Sequence, residues 1–356
     1  MLPRETEVWI VKRWCLVTGG AGFLGINLIR FLLQRGYSVR SMDIADFDYP
    51  ERHLIEVMKS DIRDRDAVRR ALAGVDAVVH CAAALPRSTA EEIYSTDVGG
   101  TRCLLEHAEQ QGVRRFVFIS STAVYGIPDH HPIVESDPSH GVGPYGRAKI
   151  LAEKDCVAFR ANGLCLPILR PKSFVGPERL GVFELLFDWA YRGRSFPVLG
   201  SGGNLYQLLD VEDLCEVIHR CLQRPDDAVN DTFNVGARDF CSWRDSVQSV
   251  LDRAGHGRHV VPLPEGPAIA ALRILELLHL SPLYEWVYET AGKESFVSID
   301  RARVRLDFTP RYSNVDALAR NYDWYVRHRQ EYRGRTGLTH RLPWKRGVLG
   351  AVGWLF

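Results

Sequence analysis

The 356-residue chain lacks the features that mark several functional classes. It has no basic surplus: 45 Lys and Arg stand against 44 Asp and Glu, for a formal charge of +1. Nucleic-acid binders carry an excess of cations, so no nucleic-acid partner is expected. None of the eight cysteines (Cys15, Cys81, Cys103, Cys156, Cys165, Cys215, Cys221 and Cys241) belongs to a CxxC pair. Several lie in apolar runs, where a free thiol behaves as a small hydrophobe. Reduced thiols and a cytoplasmic location are the expectation. No cluster of His, Cys and acidic residues has metal-ligand spacing, so no metal is expected. No apolar run reaches the ~20 residues of a membrane span. The opening MLPRETEVWIVKRW, broken by Lys12 and Arg13, does not read as a secretory signal. Internal repeats and long linkers are missing as well. What remains is an ordinary composition, 46% hydrophobic and 25% charged, on a chain long enough for a large core.

Against that background the first 120 residues carry an ordered pattern. Cys15–Thr18 ends a short apolar run, GGAGFLG follows at 19–25, and INLIRFLLQRG runs to Gly36. This predicts strand, tight turn, helix and a glycine stop. Gly19, Gly22 and Gly25 form GxxGxxG: one glycine for the turn, one for backbone approach to a pyrophosphate, one for close helix packing. The helix N-terminus would offer its N–H groups to the anion. A second strand, Tyr37–Met42, ends at Asp43. An acid there accepts hydrogen bonds from ribose hydroxyls and repels a 2′-phosphate, which favours NAD over NADP. The plainer reading of Asp43 is a turn residue ahead of Asp46 and Asp48. The alternation continues: Ile55–Lys59 to Asp61, a helix over Asp64–Ala73, Ala77–Cys81 opening into Ala82, a helix over Thr101–Gln110, and Phe116–Ile119 opening into Ser120–Thr122. Such repeats predict an α/β fold, a Rossmann-type doubly wound parallel sheet covered on both faces. Ligands bind beyond the carboxyl ends of such strands. The glycine turn, Asp43, Asp61, Ala82 and Ser120–Thr122 all fall there.

Further on, SSTAVYG at 120–126 precedes GVGPYGRAKILAE at 141–153. Tyr145 and Lys149 are four apart, on one face of a helix. A phenol titrates near ~10 in isolation, and a neighbouring ammonium favours the phenolate. Tyr145 could thus accept a hydroxyl proton during oxidation and return it during reduction, with Ser121 holding the reacting oxygen. In isolation such a pair arises by chance in most large proteins and reads as one more aromatic and one more cation on a helix. Tyr125 reads as packing, and His80 as a satisfied core histidine.

Taken together, the chain resembles the extended short-chain dehydrogenase/reductase family, in its NAD-dependent epimerase/dehydratase branch. The matching pieces are TGGAGFLG at 18–25, DI at 61–62, HCAAA at 80–84, SSTAVYG at 120–126, PYGRAK at 144–149, LRPKSFVGP at 169–177, LLDVEDL at 208–214 and FNVG at 233–236. The resemblance implies NAD as cofactor and an enzyme that oxidises a secondary hydroxyl. It implies Gly19, Gly22, Phe23 and Leu24 at the pyrophosphate and Asp43 at the adenosine ribose. Asp61 and Ile62 would lie by the adenine, and Ala82 near the cofactor. Pro171 and Ser173 would approach the nicotinamide side. Tyr145 would be the acid/base, Lys149 would tune it and hold the nicotinamide ribose, and Ser121 would be the catalytic serine, with Thr122 as its contender. It further implies a small-molecule substrate, a homodimer, and a smaller C-terminal α/β lobe. The expected divisions are 12–170 for the NAD-binding domain, to which later segments return, 171–330 mainly for substrate, and 331–356 for a tail.

The departures from the family bear on substrate. Ser173 and Tyr206 stand where many relatives that act on nucleotide sugars carry asparagine and arginine, and Asp97 replaces a usual asparagine. An arginine-to-tyrosine change removes a charge able to pair with a diphosphate; Tyr206 can still hydrogen-bond substrate, and Arg192 or Arg194 could supply charge. Thr122 and Ala123 replace the Asp-Glu pair of the family's dehydratases, leaving epimerase or dehydrogenase. A nucleotide sugar is the first expectation for substrate; a lipid, sterol-like or other non-nucleotide alcohol is the alternative, and a catalytically silent NAD sensor or scaffold the alternative of another class. The apolar stretch PAIAALRILELLHLSPLYEWVYE at 267–289 reads three ways: core or dimer helix, wall of a greasy cleft, or peripheral membrane contact.

Overall fold

A computed structural model describes residues 13–86, 88–178, 183–277 and 292–331. The chain runs β1 (Trp14–Thr18), α1 (Phe23–Leu33), β2 (Ser38–Asp43), β3 (Glu56–Lys59), α2 (Arg65–Leu72), β4 (Ala77–His80), α3 (Ala90–Ile93), a π turn (Tyr94–Gly100), α4 (Thr101–Gln110) and β5 (Arg115–Ile119). There follow α5 (Gly143–Ala161), β6 (Ile168–Pro171), β7 (Phe174–Val175), α6 (Phe183–Tyr191), β8 (Phe196–Leu199), β9 (Leu209–Asp210), α7 (Val211–Gln223), α8 (Asp226–Val229), β10 (Thr232–Val235), α9 (Trp243–Ala254), β11 (Val260–Leu263) and α10 (Glu265–Leu277). Two helices, α11 (Asp300–Leu306) and α12 (Asn314–His328), complete the described chain.

The central sheet has seven strands in the order β10-β6-β5-β4-β1-β2-β3, paired in parallel throughout. The order reverses between β1 and β4, so the connections leaving these paired strands run to opposite faces of the sheet, the place where such sheets bind ligands. Both faces are covered, so strands read as continuous apolar runs rather than alternating ones. In β1, Cys15 and Val17 enter one core and Leu16 the other, as a period of two requires. The first core packs α1 and α7 on one face; the second packs α2, α4 and α5 on the other. A third core joins α6, α9 and α12 around β8 and β11, which pair in parallel outside the main sheet. All eight cysteines are free.

Helix starts follow their capping residues. Asp64 accepts from Ala67 N ahead of α2, and Ser313 and Asp316 form a reciprocal capping box at α12. In the LLDVEDL segment, Asp210 caps α7 through Glu212 N, and Asp213 accepts from Arg311 N and Tyr312 N at 2.9 and 3.0 Å. That segment therefore anchors the approach to α12.

Phe296–Asp300, FVSID, has strand-forming residues but forms no strand. Val297 makes a single bridge with Ile133, and Ser295, just before the stretch, makes one with Tyr206. Its amides are taken by loops and by a side chain: Val297 N donates to Gln207 Oε1 at 2.9 Å. Residues 278–289 of the apolar stretch and residues 332–356 of the tail lie outside the described residues. Before them, α10 exposes Ile274 and Leu277. Among the described residues, no helix is long and apolar enough to cross a membrane.

Candidate active site

The glycine turn is shaped by close approaches. Gly19 has φ +68°, and a Cβ there would lie 2.8 Å from Ala82 N, so the segment just past β4 passes directly against the turn. A Cβ at Gly25 would stand 2.2 Å from Gly19 O, so α1 packs against its own entry loop as only glycine allows. Gly22 is the N-cap of α1 and brings no side chain to cap it. A helix N-terminus capped by glycine in this way is a cradle suited to an anion. Phe23 and Leu24 are buried in that turn.

Asp43 ends β2 and binds backbone on both sides: Oδ2 accepts from Ala21 N at 3.0 Å, Oδ1 from Ala45 N at 2.9 Å. Burial raises its pKa, and the hydrogen bonds work the other way. The carboxylate therefore clamps the glycine turn as well as standing at the strand end. Asp61 follows β3 and is held by Arg63, whose guanidinium keeps the carboxyl below its usual range. Ile62 is buried against Gly100 of the π turn. Ala82 N donates to Thr18 Oγ1 at 3.3 Å.

His80 is a core residue. Its ring nitrogens lie 2.7 Å from Thr18 Oγ1 and 2.9 Å from Thr101 Oγ1. Burial first, and then the charge on Lys149, push it down to about 3, so the imidazole is neutral.

Ser121, just past β5, starts a tight turn over Thr122–Tyr125 and accepts from Ala123 N at 3.1 Å. Tyr145 lies in the first turn of α5. Beside it, a Cβ on Gly146 would meet Ala123 O at 2.8 Å. This close approach seats the turn after Ser121 against the turn that carries Tyr145. One turn along, the Lys149 ammonium is 2% exposed and lies 5.7 Å from the Tyr145 ring centre. It donates to Ile119 O at 3.3 Å and faces Asp97 Oδ2 at 3.8 Å. Burial disfavours the ammonium, but Asp97 and then Tyr145 outweigh it, and the pKa is raised. Asp97, on the π turn, is itself buried; Oδ1 accepts from Ala84 N at 2.7 Å while Oδ2 has no hydrogen-bond partner.

Behind the site runs a buried polar chain. Arg170 Nε lies 2.9 Å from Glu153 Oε1, Ser120 Oγ donates to Oε1 at 2.5 Å, and Arg170 Nη1 donates to Tyr125 Oη at 2.8 Å. The Tyr125 hydroxyl continues to Asn234 Oδ1 at 2.7 Å. Tyr125 is thus a structural tyrosine with a polar partner.

The segment after β6 is fastened over α1. Phe174 stacks on Phe23 with centres 5.5 Å apart, Asn27 donates to Pro177 O at 3.1 Å, and Arg30 pairs with Glu178 at 2.8 Å. Pro171 ends β6 against Val235. Ser173 is exposed, its hydroxyl 3.4 Å from that of Tyr206. Lys172, between them in sequence, carries no role in the sequence reading and is buried. Of the expected charged substitutes, Arg192 pairs with Asp188 at 3.0 Å.

Comparison with known proteins decides the family. The profile described as the NAD dependent epimerase/dehydratase family matches residues 15–236. The chain belongs to the NAD-dependent epimerase/dehydratase family. Relatives include the uncharacterized protein y4nG of Sinorhizobium fredii, 34% identical over 346 residues, with 96% of this chain and 86% of that one covered. Sterol demethylase protein B of Methylococcus capsulatus is 37% identical over 266 residues, 70% of this chain and 77% of that one. Among solved structures, an epimerase of Methanothermobacter thermautotrophicus superposes with a TM-score of 0.76 at 26% identity, covering 90% of this chain and 94% of that one. The UDP-glucose 4-epimerase of Thermotoga maritima, solved with UDP-glucose, shares the fold at a TM-score of 0.72 and 22% identity, over 88% and 99%.

Membership makes the protein an NAD-dependent enzyme, an oxidoreductase or isomerase, and several of its structural neighbours were solved with NAD. The glycine-capped N-terminus of α1 and the close-packed glycine turn fit that cofactor's pyrophosphate.

Proposed function

We propose that this member of the family oxidises a secondary hydroxyl of a nucleotide sugar, as the first half of an epimerisation or as a net dehydrogenation. The observation that carries the reading is the buried Lys149 ammonium, one helical turn from Tyr145 and held by Asp97. Gly19, Gly22, Phe23 and Leu24 hold the cofactor's pyrophosphate at the start of α1, with Asp43 at its adenosine ribose. Asp61 and Ile62 flank the adenine; Ala82, Pro171 and Ser173 border the rest. When bound, NAD supplies the hydride acceptor.

Ser121 accepts from Ala123 N, which leaves its hydroxyl proton to donate to the reacting oxygen. Tyr145 takes the proton of the substrate hydroxyl, and Lys149 favours the phenolate that drives this transfer. Returning the proton from Tyr145 reverses the step, as an epimerase requires. Thr122 and Ala123 supply neither acid nor base beside Ser121, so elimination of water does not follow. We further infer that the enzyme works in the cytoplasm as a homodimer.

A second reading, a lipid or sterol-like alcohol, is favoured by the apolar Ile274 and Leu277 exposed on α10 and by the likeness to sterol demethylase protein B. Incubation with NAD and either UDP- and dTDP-hexoses or 3β-hydroxysteroids, read by product mass spectrometry, separates the two. Turnover of a nucleotide sugar supports the first reading and of a steroid alone the second. Tyr145→Phe should lower turnover by about 100-fold or more while NAD binding persists. Wild-type turnover in that variant would overturn the assignment of Tyr145.

A further inference from the structure

Lys172 follows β6 at the carboxyl edge of the sheet, beside Ser173 and Tyr206, and is 4% exposed. Its ammonium donates to Ser295 Oγ at 2.5 Å and lies 5.4 Å from the Tyr206 ring centre. Among the described residues no carboxylate comes within ion-pair distance of it. A buried ammonium with a single neutral acceptor is an unfavourable arrangement in a resting protein. Burial pushes its pKa down to about 7. Lys149, equally buried, has Asp97 for this purpose; among the described residues Lys172 has no such partner.

The surroundings are donors too. Ser173 and Tyr206 hydroxyls meet at 3.4 Å, and both residues border solvent. His131 stacks on Phe296 with centres 4.8 Å apart, and its Nε2 is buried without a hydrogen-bond partner. Burial lowers the pKa of His131, Glu294 raises it, and Lys172 and His130 lower it. Among the described residues, the titratable groups recorded around Lys172 are thus Tyr206 and His131 and, through His131, Glu294 and His130. The ammonium and three hydroxyls lie together where the substrate is expected, with the His131 imidazole close enough to feel the ammonium's charge, and among the described residues no carboxylate pairs with Lys172.

We propose that Lys172, assisted by His131, is the anchor for an oxyanion of the substrate, a phosphate or a carboxylate. The proposal rests on the reading of this cleft as the substrate site. It assigns to Lys172 the positive charge that Tyr206, whose ring centre lies 5.4 Å from the ammonium, does not carry. An arriving oxyanion stabilises the ammonium form, so binding above neutrality takes up a proton.

The test is calorimetry on the NAD-loaded protein, with UDP as the phosphate probe and cholate as the carboxylate probe, in buffers of different ionisation enthalpy. At least one probe should bind, with affinity falling as pH rises above about 7, toward about tenfold per unit. Near pH 8 binding should take up close to one proton. Lys172→Met and Lys172→Gln should lose that uptake and weaken the probe at least about tenfold at lower pH, with NAD affinity unchanged as the sign of an intact fold. UDP binding alone identifies a phosphate, cholate binding alone a carboxylate, and either supports the anchor. Equal affinity and equal uptake in wild type and Lys172→Gln, or no binding of either probe, overturns it. The readout is independent of turnover: oxyanion binding without catalysis leaves the anchor standing and sinks the proposed reaction, while catalysis without Lys172-dependent binding does the reverse.

Discussion

Replacing Glu153 by alanine isolates the polar chain behind the active site. Glu153 and Arg170 are each less than 10% exposed. Arg170 Nε lies 2.9 and 3.2 Å from the two carboxylate oxygens and Nη2 lies 2.5 Å from Oε2. Burial works against the guanidinium, but Glu153 more than compensates, and the arginine pKa is raised. Without Glu153 the arginine stays charged and keeps only neutral acceptors, the Tyr125 hydroxyl and Glu135 O. Ser120 Oγ loses its acceptor as well. Breaking one side of a buried pair costs about 3–5 kcal/mol. Two guanidinium nitrogens losing charged hydrogen bonds at roughly 1.5–3 kcal/mol each give the same range. Urea unfolding at neutral pH should therefore show Glu153→Ala destabilised by about 3–5 kcal/mol. The double variant Glu153→Leu with Arg170→Met removes both charges and should recover most of the loss, because the desolvation cost disappears with the pair. A loss below ~1 kcal/mol in the single variant, as for an exposed pair, would refute the reasoning.

Two further substitutions probe the cofactor and catalytic ends of the cleft. Gly25→Ala places a methyl 2.2 Å from Gly19 O and 2.6 Å from Gly20 Cα, all backbone. The turn must shift, so thermal stability should fall by about 1–3 kcal/mol and NAD affinity measurably with it; unchanged affinity would show that the turn does not form the cradle. Asp97→Asn keeps an acceptor for Ala84 N but removes the charge facing Lys149. Since Asp97 is what raises Lys149 against burial, the lysine pKa falls in the variant, and loss of a nearby negative charge also eases ionisation of Tyr145. Both limbs of the pH profile of kcat/KM should move to lower pH, and superimposable profiles would exclude the coupling.

Much of the architecture was legible in local sequence. Strand runs such as Cys15–Thr18, helices such as Thr101–Gln110, and the glycine turn are written in short-range periodicity and backbone sterics. The Tyr145–Lys149 spacing is a property of one helix. Asp43 and Tyr206 were visible as positions, and His80 and Tyr125 as core residues.

Long-range burial decided the rest. Nothing near Lys149 in sequence announces Asp97, 52 residues earlier, as its counter-ion, nor does Arg170 announce Glu153. Phe296–Asp300 has strand-like residues, yet Gln207 and neighbouring loops claim its backbone. Asp43 turned out to clamp the turn it follows. Lys172 was one cation among many until folding enclosed it without a carboxylate. The physical reason is common to all of these. Local patterns settle backbone conformation, whereas the worth of a charge depends on how much water is removed from it and on which partner, distant in the chain, the fold brings within reach.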